Sequence, residues 1–323
     1  MKNVVVVGIG KENYNYKKIE GFINGFSKLE YQVSHLRFID EAQIAKLGEI
    51  EILFSEDGNL PEHTKRIKTL ILWSNYDVNK IIEYALKNKE MNIILAPKSF
   101  MIDQEVNERY SESYGTAMYQ TIGFEGQNID NILEIFNSKK KLNQTSVKIL
   151  DNLILTYIPC SLSESVQLSE IKESKYKFSY FGTGSNRPNI LEIVKNLPGQ
   201  VNFHFVEQGG PIDPMECIKM YKETDYVLHE QTNPVILEYP VRVGEASASG
   251  CKIILIETLP LYEKILKTEK IPEMIKFHSA NQFLQSLNQI KKRTLEEKIS
   301  CASNFKNTYE NVIKEIQTLI QEF

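Results

Sequence analysis

Two periods of hydrophobicity take turns along the first half of the chain. Short apolar runs bounded by turn residues occur at Asn3–Val7, Gln32–Phe38, Ile50–Phe54, Thr69–Trp73 and Met91–Ala96, and each reads as a strand. Between them apolar residues recur at helical spacing. Tyr16–Leu29 sets Ile19, Phe22, Ile23 and Phe26 on one face, and Glu41–Leu47, Val78–Asn88 and Ile129–Asn137 are further helices. Strand and helix in alternation predict an open parallel sheet. The pattern weakens past Pro97, and Leu153–Ile158 reads as a strand that closes the first sheet. Pro159 through Ser174, rich in Ser and Glu, reads as a linker.

The second half repeats the alternation. Strands are predicted at Lys177–Phe181, Val201–Val206, Asp225–Leu228 and Lys252–Ile256. The loop Gly182-Thr183-Gly184-Ser185-Asn186-Arg187-Pro188 leads into a helix to Leu197, with Asn186 as cap and Pro188 in the first turn. Asp213 and Pro214 open a helix through Tyr221, and helical spacing returns over residues 279–290 and 295–322. Pro240 suits the start of a short helix that Gly250 stops, so residues 238–256 read as loop, helix, tight turn and strand.

That stretch holds the first candidate chemistry. Arg242 and Glu245 stand three apart, on one helical face. A helix N-terminus with an arginine beside it can hold a phosphate, and a glutamate one turn on can accept hydrogen bonds from vicinal hydroxyls. A surface ion pair worth a few tenths of a kcal/mol explains the same spacing. The glycine-rich loop with Gly182, Gly184, Ser185 and Arg187 offers backbone N–H groups and a fixed charge of the kind that meets a diphosphate, although many plain strand–helix turns look alike. Gly8 and Gly10 do not complete a dinucleotide fingerprint, because Asn13 stands where the third glycine belongs.

The order of features around Arg242 resembles the donor site of GT-B glycosyltransferases, whose second domain often carries an arrangement of the form "R-x-x-E-A-x-A-x-G-x-x-x-I". Here it stands as Arg242, Glu245, Ala246, Ala248, Gly250 and Ile254. The likeness is to the group 1 glycosyltransferases, including the spore-maturation-type branch. Many of them set two glutamates eight apart, whereas Glu238 and Glu245 are seven apart. The resemblance implies an α/β fold of two Rossmann-like domains facing a cleft, the GT-B architecture. It divides the chain into an acceptor domain at 1–164, a nucleotide-sugar domain at 165–305 and a C-terminal helix at 306–323 that returns to the first domain. It implies a hexosyltransferase with a nucleotide-sugar donor and a glycan or lipid-linked acceptor. Glu207, with Gln208, would then lie near the nucleobase, and His229 would approach phosphate or sugar.

An inverting enzyme needs a general base in the first domain. Ser55-Glu56-Asp57-Gly58 follows the third strand at the edge where a ligand would lie, which makes Glu56 and Asp57 the catalytic candidates, although Asp-Gly also simply forms turns. Asp77 is a further acceptor contact or a helix cap, while His35 and His63 read as structural and surface residues. Asp-x-Asp is absent, so the reading is metal-independent and needs no cofactor beyond the donor. Two other functions fit the same residues: a two-domain protein that binds a nucleotide or sugar without turnover, and a nucleotide-sugar epimerase.

Composition adds boundaries. With 323 residues the chain is long enough for two domains, and its 42% hydrophobic and 25% charged residues are ordinary for a globular protein. A net charge of −4 argues against nucleic acid as a partner. Lys139-Lys140-Lys141 and Lys291-Lys292-Arg293 read as solvated helix ends, with a peripheral membrane contact as the minority reading. Cys160, Cys217, Cys251 and Cys301 have no metal or disulfide spacing and read as buried thiols. Met1-Lys2-Asn3 runs straight into four valines, which fits a strand better than a secretion signal and predicts a cytoplasmic protein.

Overall fold

The computed structural model describes residues 2–8, 16–62, 64–73, 78–96, 134–135, 137–143, 145–159, 161–182, 187–197, 203–207, 214–231, 241–257 and 273–323. It is a mixed α/β structure with two compact units. Unit 1 comprises the described residues of 1–159 together with Tyr309–Phe323, and unit 2 those of 160–308.

Unit 1 holds an 8-stranded sheet. Its strands are β1 (Asn3–Val7), β2 (Gln32–Leu36), β3 (Ile50–Ser55), β4 (Ile67–Leu72), β5 (Asn92–Leu95), β6 (Lys140–Asn143), β7 (Ser146–Leu150) and β8 (Leu153–Thr156). The order is β2-β1-β3-β4-β5-β8-β7-β6, parallel as far as β8 and antiparallel beyond it. Helices α1 (Tyr16–Lys28), α2 (Glu41–Ile44) and α3 (Val78–Lys87) lie between the early strands. Valines 4 to 7 are all buried, as expected for a strand covered on both faces. Phe22 of α1 meets Phe54 with ring centroids 4.2 Å apart and Trp73 at 5.2 Å.

The hairpin β6–β7 departs from expectation. Lys140 and Lys141 lie in an exposed edge strand and not at a helix end. Lysines on an edge discourage pairing with other chains.

Unit 2 holds a second sheet, of 5 strands, in the order β10-β9-β11-β12-β13 and parallel throughout. These are β9 (Tyr176–Gly182), β10 (Phe203–Glu207), β11 (Thr224–Gln231), β12 (Lys252–Glu257) and β13 (Met274–Phe277). The helices are α4 (Pro188–Asn196), α5 (Pro214–Lys222), α6 (Val241–Ala248), α7 (Ala280–Gln285) and α8 (Leu295–Asn304). One face of the sheet packs Tyr226, Leu228, Ile254 and Ile256 against Ile190 and Ile193 of α4 and Phe283 of α7. The other packs Val227, Ile253 and Leu255 against Tyr221 of α5 and Val243 and Ala246 of α6. Gly250 ends α6 at φ +87°, the left-handed position expected of it.

Two further expectations change. Arg293 is no solvated residue: its guanidinium donates to Gly250 O at 2.7 Å, Glu273 Oε1 at 2.9 Å and Glu297 O at 3.0 Å. The single helix expected over 295–322 is two, α8 and α9 (Tyr309–Ile320). Between them the chain turns extended, with Phe305 at φ −71°, ψ 122° and a bridge from Thr308 to Ser163.

Helix α9 packs on α1 within unit 1. Gly21 and Gly25 of α1 face it, and a Cβ on Gly21 would overlap the Tyr309 ring. Lys28 adds a 2.7 Å ion pair to Glu310, and Gln317 donates to Tyr31 Oη at 2.7 Å. Gly21→Ala therefore sets two effects against each other. Helix propensity favours alanine by about 1 kcal/mol. Overpacking a locked aromatic ring costs about 1–3 kcal/mol, and Tyr309 is buried against Phe22 at 5.3 Å. A net loss of about 1 kcal/mol is expected, read as a lower urea midpoint; an unchanged or higher midpoint would refute the packing account.

Unit 2 also carries an alkaline liability. Lys298 is fully buried and donates to Lys172 O, Ser174 Oγ and Lys222 O at 2.9, 2.7 and 2.8 Å. Burial pushes the Cys251 thiol up to about 12 and Cys301 to about 11, and it raises Tyr221 as well. The unfolded chain ionises these groups first, so their contribution is complete below the ordinary thiol value of 9.0 and is lost as pH climbs toward 11–12. Lys298 runs the other way, because burial lowers its pKa and deprotonation relieves it. Two thiols and a phenol outweigh one amine. Tm should fall steadily as pH rises above 9.0, and less so in Cys251→Ala; a flat Tm there contradicts this.

Candidate functional site

In open α/β sheets ligands bind at the carboxyl ends of the strands where the order reverses. Both units have such a reversal, between β1 and β3 in unit 1 and between β9 and β11 in unit 2.

In unit 1 the reversal is framed by Gly8 and by Glu56-Asp57. Glu56 N donates to Val7 O at 2.9 Å, which draws the end of β3 against the end of β1. The Glu56 carboxylate lies over Gly8, with Oε2 3.3 Å from where a Cβ on that residue would stand. Asp57 has a different job. Its Oδ2 accepts from Ile39 N at 2.8 Å, and its Oδ1 from Asn59 N at 3.3 Å and Asn59 Nδ2 at 3.0 Å. Both oxygens order the rim loops. His35 Nε2 lies 3.1 Å from Gly8 O, a structural contact.

Periodicity gave no signal for a third feature of this rim. Lys18, only 5% exposed in the first turn of α1, sets its ammonium over the Trp73 ring at 5.4 Å. Trp73 N in turn donates to Ser55 O at 2.8 Å. A cation–π contact of this kind is worth about 0.5–2 kcal/mol and fixes an ammonium beside the ends of β3 and β4. His63, Asp77 and Gly10 fall outside the described residues.

In unit 2, α6 leads from the carboxyl end of β11 to the start of β12, so its N-terminus opens at the ligand edge. Arg242 is half-buried in its first turn. Glu245 is 6% exposed and so is not a solvated charge. Both charges act on the buried Tyr221 of α5; Glu245 raises its pKa after burial itself, and Arg242 lowers it. The helix fits closely because Gly244 lies against the Ser161–Leu162 backbone, where a Cβ would stand 2.7 Å from Leu162 O.

The strand β11 runs to Gln231, three residues beyond the expected Leu228, so His229 and Glu230 are strand residues. Alternation turns His229 to the face of Val227, under α5 and α6, and Glu230 to the face of Leu228 and α4. Glu230 is 2% exposed and accepts from Asn189 N, Asn189 Nδ2 and Ile190 N at 3.3, 2.8 and 3.0 Å. Arg187, and not the expected Asn186, stands at the N-cap position of α4, where its side chain makes no cap bond; it is half-buried, with Pro188 behind it as expected. Gly182 and Glu207 end β9 and β10 side by side. Gly184, Ser185, Asn186 and Gln208 lie outside the described residues. Among the described residues no His, Cys, Asp and Glu cluster could hold a metal ion, and no helix is long and apolar enough to cross a membrane.

No family model matches the sequence, and no curated protein does. Solved structures do. The calicheamicin glycosyltransferase is similar at a TM-score of 0.44 and 8% identity, over 100% of this chain and 98% of that one. A glycosyltransferase involved in avilamycin A biosynthesis is similar at 0.46 and 9%, over 99% and 97%. The UDP-GlcNAc 2-epimerase from Neisseria meningitidis, bound to UDP-GlcNAc, is similar at 0.47 and 10%, over 99% and 100%. Likenesses at these scores and identities carry nothing about reaction or ligand.

Proposed function

We propose that the protein is a glycosyltransferase of the group 1 kind that the Arg242–Ile254 spacing resembles. In this reading it moves a sugar from a nucleotide-sugar donor to a hydroxyl of a glycan or glycolipid, without a metal ion. The observation that carries it is the first turn of α6. An arginine stands in the first turn of a helix that opens at the ligand edge of a parallel sheet, with a buried glutamate one turn on.

The chemistry follows from those parts. The acceptor oxygen forms a bond to the anomeric carbon while the bond from that carbon to the donor phosphate breaks. The acceptor's proton passes to the Glu56 carboxylate. Nucleoside diphosphate departs with its charge met by the α6 N-terminus and Arg242. Glu245 takes the ribose hydroxyls, Glu207 serves the base, and Arg187, His229 and residues Gly182, Gly184 and Ser185 complete the donor side. Glu56 is taken as the base for its place over Gly8 at the reversal, with Asp57 as the second candidate.

A panel of nucleotide-sugars, sorted first by thermal shift, tests this. Release of nucleoside diphosphate with sugar appearing on an added acceptor is the expected result. Binding without release would make the chain a binding protein. An altered sugar still joined to its nucleotide would make it an epimerase.

A further inference from the structure

The reversal in unit 2 is flanked by two helix N-termini, α4 on one face of the sheet and α6 on the other. The first turn of α4 has no donor left over. Pro188 has no N–H, Asn189 N and Ile190 N both go to the Glu230 carboxylate, and Leu191 N returns to Arg187 O at 3.0 Å. The Asn189 amide also donates to Glu230 and accepts from Ala280 N at 3.0 Å, so the same pair holds the start of α7. A buried carboxylate therefore stands where an incoming phosphate would have to sit, and it takes the N–H groups that would hold one.

We propose that Glu230 is a specificity-determining residue that closes the backbone N-terminus of α4 to phosphate, so that of the two helix termini only that of α6 anchors a nucleotide's diphosphate. This rests on the reading of unit 2 as the donor side. Glu230 is an internal anion, and the ligand it leaves room for meets one free helix terminus, that of α6 with Arg242 beside it, while on the α4 side the positive charge at the N-cap is the Arg187 side chain.

Calorimetry with inorganic pyrophosphate tests the assignment on the full chain. Glu230→Gln should bind pyrophosphate about tenfold tighter than wild type, because the repelling charge is gone and one of the two oxygens that hold the α4 N–H groups becomes an amide donor. The gain should persist in Glu230→Gln combined with Arg242→Ala. Wild-type binding should fall about tenfold in Arg242→Ala alone. Unchanged or weaker binding by Glu230→Gln overturns the proposal. If wild type binds no pyrophosphate and Glu230→Gln does, the donor reading falls while the role of Glu230 stands. If wild type binds through Arg242 and Glu230→Gln gains nothing, the reverse holds. Should that variant fail to fold, hydrogen exchange of the wild type decides. Exchange at Asn189 and Ile190 unchanged by saturating pyrophosphate supports the proposal, and slowed exchange there overturns it.

Discussion

Glu56→Gln is expected to slow sugar transfer by about a hundred- to ten-thousand-fold while leaving donor affinity within about twofold of wild type. Glutamine keeps the size of the side chain and its place over Gly8 but cannot take the acceptor's proton. Donor contacts in this reading are made by unit 2, so KM for the donor should hardly move. Asp57→Asn is the contrast. Its carboxylate tethers Ile39 and Asn59, so weakening it should loosen the rim and cost about 1 kcal/mol of stability, with kcat reduced far less than in Glu56→Gln. A Glu56→Gln enzyme with wild-type kcat would remove Glu56 from the chemistry. A large kcat loss confined to Asp57→Asn would move the base one residue along.

Arg242→Ala carries the second large effect. Loss of a charge-assisted contact to a diphosphate costs about 1.5–3 kcal/mol, which weakens donor binding by about 10- to 150-fold. Arg242→Lys keeps the charge but loses the planar fork, so it should fall between wild type and alanine. Arg242 shares its surroundings with buried Glu245 and Tyr221, and a structural role would show there instead. A drop in Tm with donor affinity intact would make Arg242 a partner of Glu245 only. Unchanged affinity in the alanine variant would sink the donor site as drawn.

Legibility in the sequence followed burial on two faces. β1, β12 and the carboxyl-terminal halves of β3 and β4 are covered on both sides and appear as apolar runs, so their places are readable to within a few residues. The hairpin β6–β7 is not, because an exposed edge carries lysines and no apolar run. The tail reads as one helix because α8 and α9 each keep helical spacing. The break between them depends on a bridge to Ser163, far off in sequence. In the candidate site, the turn at Arg242 and Glu245 was visible from spacing and from Gly250. Lys18 over Trp73 was not, since a lysine beside Lys17 reads as solvated.

Glu230 marks the division most sharply. Two polar residues after Leu228 end an apolar run, and by local pattern alone the strand stops there. It continues because the carboxylate meets helix N–H groups 40 and 41 residues away along the chain, and those offset the cost of burying a charge. Arg293 and Lys298 are buried on the same terms, with carbonyl partners supplied by distant segments. The alternation of strands and helices, the glycine stop at 250 and the place of Arg242 and Glu245 on one helical face are legible locally, because they depend on neighbours within a turn or two. Which charges are buried and which helix terminus is already occupied follow from long-range contacts, because a polar group's partner is set by what the fold brings beside it.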